Sequence, residues 1–156
     1  MLSSKFLISP ILSLDALLIA GTDKTLNFYF HRSAGQVAVA SGSSLPQIIT
    51  ALTPTQTLLA HATQQFEKIS QQINLQFVEV QNQSEADIAF FFDSEIEVNE
   101  SDSSSVTLGL ALSNRDSITG RQWVEIFFNG PEIKQSSTDL EAFVFNHELL
   151  HALGLE

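Results

Sequence analysis

The segment Ala86–Phe92 (ADIAFFF) constrains the fold more than any other stretch of the chain. Its apolar run is almost unbroken, so an extended strand here tolerates water on neither face. A strand of that kind sits inside a parallel or mixed sheet that is covered on both sides. Neighbours for it are easy to find. Thr25–Phe30 alternates Leu26, Phe28 and Phe30 against Asn27 and Tyr29, the pattern of a half-buried strand. Leu75–Val80, Val106–Leu112 and Trp123–Phe128 add further strands, the last ended by Asn129-Gly130-Pro131. Gly109 within the Val106–Leu112 strand marks either local packing at a bulge or the close approach of another backbone, such as a substrate. Residues 31–50, rich in Ser, Gly and Ala, suggest a loop with a short strand near Val37–Val39.

Two longer helices complete the pattern. Thr53-Pro54-Thr55-Gln56 is a helix start, with Thr53 as cap, Pro54 in the first turn and Gln56 closing a capping box. Leu59, Ala62, Phe66, Ile69 and Ile73 then share one stripe, a core face rather than a cofactor site. His61 falls beside that stripe and is expected in solvent. Thr138-Asp139-Leu140-Glu141 repeats the capping logic before a second helix. Residues 11–20 suggest a short helix stopped by Gly21, and Glu95–Ser105 a solvated acidic loop. No internal repeat or linker divides the chain. The expectation is one α+β unit over residues 1–156: a mixed, mostly parallel twisted sheet of about five strands with one antiparallel edge strand, a long backing helix and a closing helix.

Composition removes several kinds of function. There is no cysteine, which excludes disulfides, thiolate metal sites and a cysteine nucleophile. Any metal must be held by imidazole and carboxylate. With 7 basic against 18 acidic residues, the net charge of −11 repels nucleic acid and anionic membranes. No run of about 18 apolar residues is present, so no membrane span is expected. Pro10 and Asp15 interrupt the apolar opening, and no cleaved secretory signal is expected. Phosphate-cradling glycine loops and nucleophile elbows do not occur.

The chemistry is concentrated at the end. His147 and His151 are four residues apart, one above the other on a helix face, and Glu148 follows the first of them. This is the HExxH arrangement, in which one helical turn offers two imidazole ligands for zinc and a carboxylate as general base. Gly154 extends the match toward HExxHxxGxxH and suits a helix stop. His31 ends the first strand, and nothing pairs it with the motif.

The tail from His147 to Leu155 resembles the active-site helix of metzincin zinc metallopeptidases, in particular the serralysin and matrixin branch. The upstream elements are similar in order: residues 16–30 resemble the opening segment and first strand, and Thr53–Ile73 the long helix. Leu75–Val80, Ala86–Phe92, Val106–Leu112 and Trp123–Phe128 resemble the later strands. The resemblance implies a zincin-like fold and peptide-bond hydrolysis, with zinc on His147 and His151 and Glu148 as general base. It also implies that an extended peptide or protein substrate pairs with the edge strand at Leu108, Gly109, Leu110 and Ala111. A secreted, monomeric protease is the expected setting. The family's third zinc histidine, its methionine turn and its C-terminal subdomain have no counterpart in the 156 residues. The implied piece is therefore the N-terminal part of a catalytic domain, stopping before the third histidine, with weak or absent cleavage of its own. The competing expectation is an inactive remnant that binds zinc or peptide.

Overall fold

A computed structural model describes residues 23–42, 45–96 and 106–154. The expected helix over 11–20, most of the acidic loop and Glu156 lie outside them. β5 (Ile88–Asp93) is buried along its whole length, as its apolar run demands. β1 (Thr25–Phe30) and β7 (Gln122–Asn129) flank it, both parallel to it. β4 (Gln76–Glu79) continues the parallel sheet beyond β1, and β6 (Gly109–Arg115) runs antiparallel to β7 at the opposite edge. β2 (Gly35–Val39) and β3 (Gln47–Leu52) form an antiparallel hairpin joined to the end of β5 by Ala51↔Asp93 and Leu52↔Phe92. Among the described residues the result is a seven-stranded mixed sheet with three α-helices: α1 (Gln56–Ile73), α2 (Gly130–Gln135) and α3 (Thr138–Ala152). None of the described helices is long and apolar enough to cross a membrane.

Alternation along β5 assigns its two coverings. Phe90 and Phe92 share a core with Leu58, Ala62 and Phe66 of α1 and with Val144, Phe145 and Leu149 of α3. Phe91 points the other way, into a second core with Val39 and Phe127 that Val37 and Ile49 of the hairpin help to cover. Phe90 is the hub of the helix side. Its ring stacks on Phe30 at 4.5 Å and on Phe145 at 5.6 Å, with Phe66 at 6.1 Å. Replacing Phe90 by leucine should cost about 1–2 kcal/mol through lost ring contacts and a partly filled void, measurable by urea denaturation. An unchanged midpoint would place the hub elsewhere.

Several local expectations need correction. Where one short strand was expected, Gly35–Val39 and Gln47–Leu52 pair as two antiparallel strands; the β-branched run Ile48-Ile49-Thr50 was the available signal. The edge strand begins at Gly109 instead of Val106 and continues to Arg115. Its register from Gly109↔Phe128 to Arg115↔Gln122 is unbroken, so Gly109 makes no bulge. On α1 the cap is Thr55, not Thr53, and its hydroxyl accepts the Leu58 N–H at 3.1 Å. The buried line on that helix is Leu58, Ala62 and Phe66, while Ile73 is 44% exposed.

The hairpin tip is tied down by side chains from the far edge of the sheet. Glu125 of β7, only 1% exposed, accepts hydrogen bonds from the backbone N–H groups of Ala40 (3.0 Å) and Ser41 (2.7 Å). Asn114 of β6 accepts from the Gly42 N–H through Oδ1 at 2.7 Å. These bonds join the hairpin to β6 and β7.

Candidate active site

α3 carries the candidate chemistry, and its placement depends on both ends and one flank. Ser137 caps it, accepting the Leu140 N–H at 3.3 Å. Glu141, expected to close a capping box at the start of this helix, instead crosses to α1 and accepts the Thr55 hydroxyl at 2.7 Å. Further on, His61 Nε2 and Asn146 Oδ1 meet at 3.1 Å, with the His61 ring edge-on to Phe145. His61 is thus an interhelical contact, not the solvated side chain expected from the sequence. Two polar ties, about a turn and a half apart, fix how α3 lies against α1. Gly154 has a φ of +70° and its N–H reaches the His151 carbonyl at 3.0 Å, so the helix stops where the glycine indicated.

His147 and His151 converge as their spacing requires. Their Nε2 atoms lie 3.0 Å apart and their rings meet edge to face, with centroids 4.4 Å apart. At that distance one Nε2 is the donor and the other the acceptor, according to the tautomer. Burial, with the neighbouring His151, lowers the His147 pKa, so its ring is neutral at pH 7, the form that binds metals. Two nitrogens on one tetrahedral zinc sit about 3.3 Å apart when each Zn–N bond is about 2.0–2.1 Å. The observed gap therefore needs only a few tenths of an ångström of opening, and the pair fits two positions of a zinc site. Phe143, one turn earlier and 54% exposed, stacks on His147 at 6.0 Å and steadies its ring. Sequence reading passed over Phe143, although its four-residue spacing from His147 was a usable signal.

Glu148 leaves the histidines and turns to the sheet. It is 6% exposed, and burial pushes its carboxyl up from an ordinary 4.5 to about 7, partly offset by a hydrogen bond from the Ala111 backbone N–H. The geometry of β6 explains that bond. The Leu108 carbonyl accepts the Asn129 N–H at 2.9 Å, and by antiparallel alternation Leu110 also directs its main-chain groups toward β7. Gly109 and Ala111 then direct theirs away from β7, toward α3. Of the four residues expected to bind substrate, Leu108 and Leu110 spend their backbone groups within the sheet. Gly109 and Ala111 turn theirs outward, and Glu148 already holds the Ala111 N–H. A Cβ added at Gly109 would lie 2.7 Å from both Cγ and Oε1 of Glu148. The glycine is thus explained by packing against this carboxylate.

His31 stays apart from the motif. Its Nδ1 is 3.0 Å from the Tyr29 hydroxyl and its ring stacks on Phe91, on the hairpin side of the sheet. Among the described residues, no group of three or more His, Cys, Asp or Glu side chains is placed to hold a metal ion. No family model, curated protein or solved structure matches the chain.

Proposed function

We propose that this chain carries the zinc-binding and proton-transfer part of a zinc-dependent endopeptidase of metzincin type with a zincin-like fold. The observation that carries the reading is the convergence of the His147 and His151 Nε2 atoms at 3.0 Å while Glu148, one residue on, is buried beside the antiparallel edge strand. The sheet lends support: β4, β1, β5 and β7 run parallel and β6 runs antiparallel beside β7, while the β2–β3 hairpin adds two strands to the five expected. His147 and His151 would hold the metal. When bound, zinc supplies a Lewis acid for the scissile carbonyl and lowers the pKa of water. Glu148 would take the proton from the attacking water and pass it to the leaving amine. The outward main-chain groups of β6 that Glu148 does not hold would align an extended peptide.

A second reading is a zinc- or peptide-binding module without catalysis. It is favoured by the lack, among the described residues, of a three-ligand group, because catalytic zinc takes three protein ligands. Calorimetric zinc titration of the wild type and of His147→Ala and His151→Ala separates the possibilities. The proposal expects one zinc per chain, weakened about tenfold or more by either substitution. Equal affinity in all three proteins would sink the metal site. Peptide cleavage that disappears in Glu148→Gln supports the enzyme; peptide binding without cleavage supports the module.

A further inference from the structure

We propose that Gly109 and Ala111 are positioning residues, and that β6 forms a shaped seat holding the Glu148 carboxylate in place. The inference deepens the endopeptidase reading and rests on it, since it assigns the seat to the base of that reaction. Three observations meet here. The Ala111 N–H, turned away from β7 by the alternation of the ladder, donates to Glu148. Gly109, two residues earlier on the same face, leaves the space filled by Cγ, Cδ and Oε1 of Glu148, which would stand 2.7, 2.9 and 2.7 Å from an added Cβ. Finally, Gly109 does not adopt a positive φ, so its backbone does not call for glycine. Glycine in the interior of a strand normally weakens it. The absent side chain is accounted for by the carboxylate that lies over it.

The nature of the clash makes the seat testable. At Gly130 an added Cβ would meet the Asp93 backbone carbonyl at 3.1 Å and the Leu52 side chain at 2.8 Å, so part of the obstacle there cannot move aside. At Gly109 the atoms in the way all belong to one flexible side chain. Gly109→Ala therefore leaves the ladder intact and displaces the carboxylate instead. The Gly109 contacts are all with Glu148, and neither His147 nor His151 stands among the atoms an added Cβ would meet. What changes is where the base stands.

Amide hydrogen exchange of the metal-free chain, read residue by residue by NMR, gives the test. In the wild type the Ala111 amide should be protected, and in both Gly109→Ala and Glu148→Ala it should exchange about 2- to 10-fold faster, the range for losing a typical hydrogen bond. The Leu110 and Leu112 amides, paired with β7, should not change. A merely structural glycine would instead loosen the whole strand together. If Gly109→Ala fails to fold, Glu148→Ala still decides, because it removes the acceptor without touching the strand. An Ala111 amide that exchanges equally fast in wild type and Glu148→Ala overturns the seat. Zinc titration of the same samples keeps the two claims apart. Zinc binding with an Ala111 amide indifferent to Glu148 overturns the seat and leaves the metal reading standing. Ala111 protection that depends on Glu148 without zinc binding supports the seat and defeats the metal reading.

Discussion

Replacing Glu148 by glutamine should make the metal-free protein more stable at pH 8 by about 3 kcal/mol, and should abolish any cleavage of peptide. The folded chain holds the Glu148 proton to about pH 7, against an ordinary 4.5. A carboxyl with a raised folded pKa contributes its full share of stability below about pH 4.5 and loses it as pH rises through about 7, since the unfolded chain ionises first. The interval between the two values corresponds to about 3 kcal/mol at full ionisation. Glutamine cannot ionise and keeps an oxygen for the Ala111 N–H, so its stability should stay level across this window. Urea denaturation at pH 5 and pH 8, with a chelator present, is the measurement. A variant less stable than wild type at pH 8 would refute the burial argument. The catalytic arm has the opposite sign: loss of a general base costs on the order of 10²- to 10⁴-fold in rate. A residue that destabilises its own fold and is retained for its chemistry behaves this way.

The second large effect is expected at Glu125, far from the histidines. Glu125→Ala removes the acceptor shared by Ala40, Ser41 and, at 3.4 Å, the Trp123 indole N–H. A buried side chain with several donors cannot be deleted cheaply, because three partly buried N–H groups lose their partner at once. The cost should be about 2–3 kcal/mol. The Ala40 and Ser41 amides should lose exchange protection, while those of β5 keep theirs in proportion to global stability. Glu125→Gln retains one acceptor oxygen and should cost less. Wild-type stability in Glu125→Ala would mean that the hairpin is held by its apolar contacts with Phe91 and Phe127 alone.

These two carboxylates also mark where sequence reading stops. The pattern of Ala86–Phe92 was enough to place a strand in the middle of a doubly covered sheet, because the requirement is local: apolar residues at every position from Ile88 to Phe92 leave no wet face. The four-residue spacing of His147 and His151 was equally legible, since helix geometry alone brings their nitrogens together. Glu141 looked like a capping-box residue by spacing, yet it bonds Thr55, 86 residues away in sequence. Glu125 reaches 84 residues to Ser41. Such partners are decided by how the layers stack, and no local period records them. His61 was misplaced for the same reason: its position on the helix was readable, but Asn146 across the interface was not. Gly109 stood out as an anomaly in a strand, though its cause lies in a side chain 39 positions downstream, 148 against 109 in the numbering.

The all-apolar centre of β5 has a cost before folding finishes. Ile88 to Phe92 is a short, uncharged run of strong β-formers, the composition that seeds intermolecular cross-β stacking when exposed. In the native sheet both of its edges are occupied by β1, β3 and β7. Its β7 partner pairs from residue 124 onward, so the run must wait for a segment more than thirty residues later in the chain. Asp87 and Asp93 bracket it on either side as charged gatekeepers of the kind that slow self-association. Charge at the two ends thus guards the nascent chain while its most adhesive strand is still without neighbours.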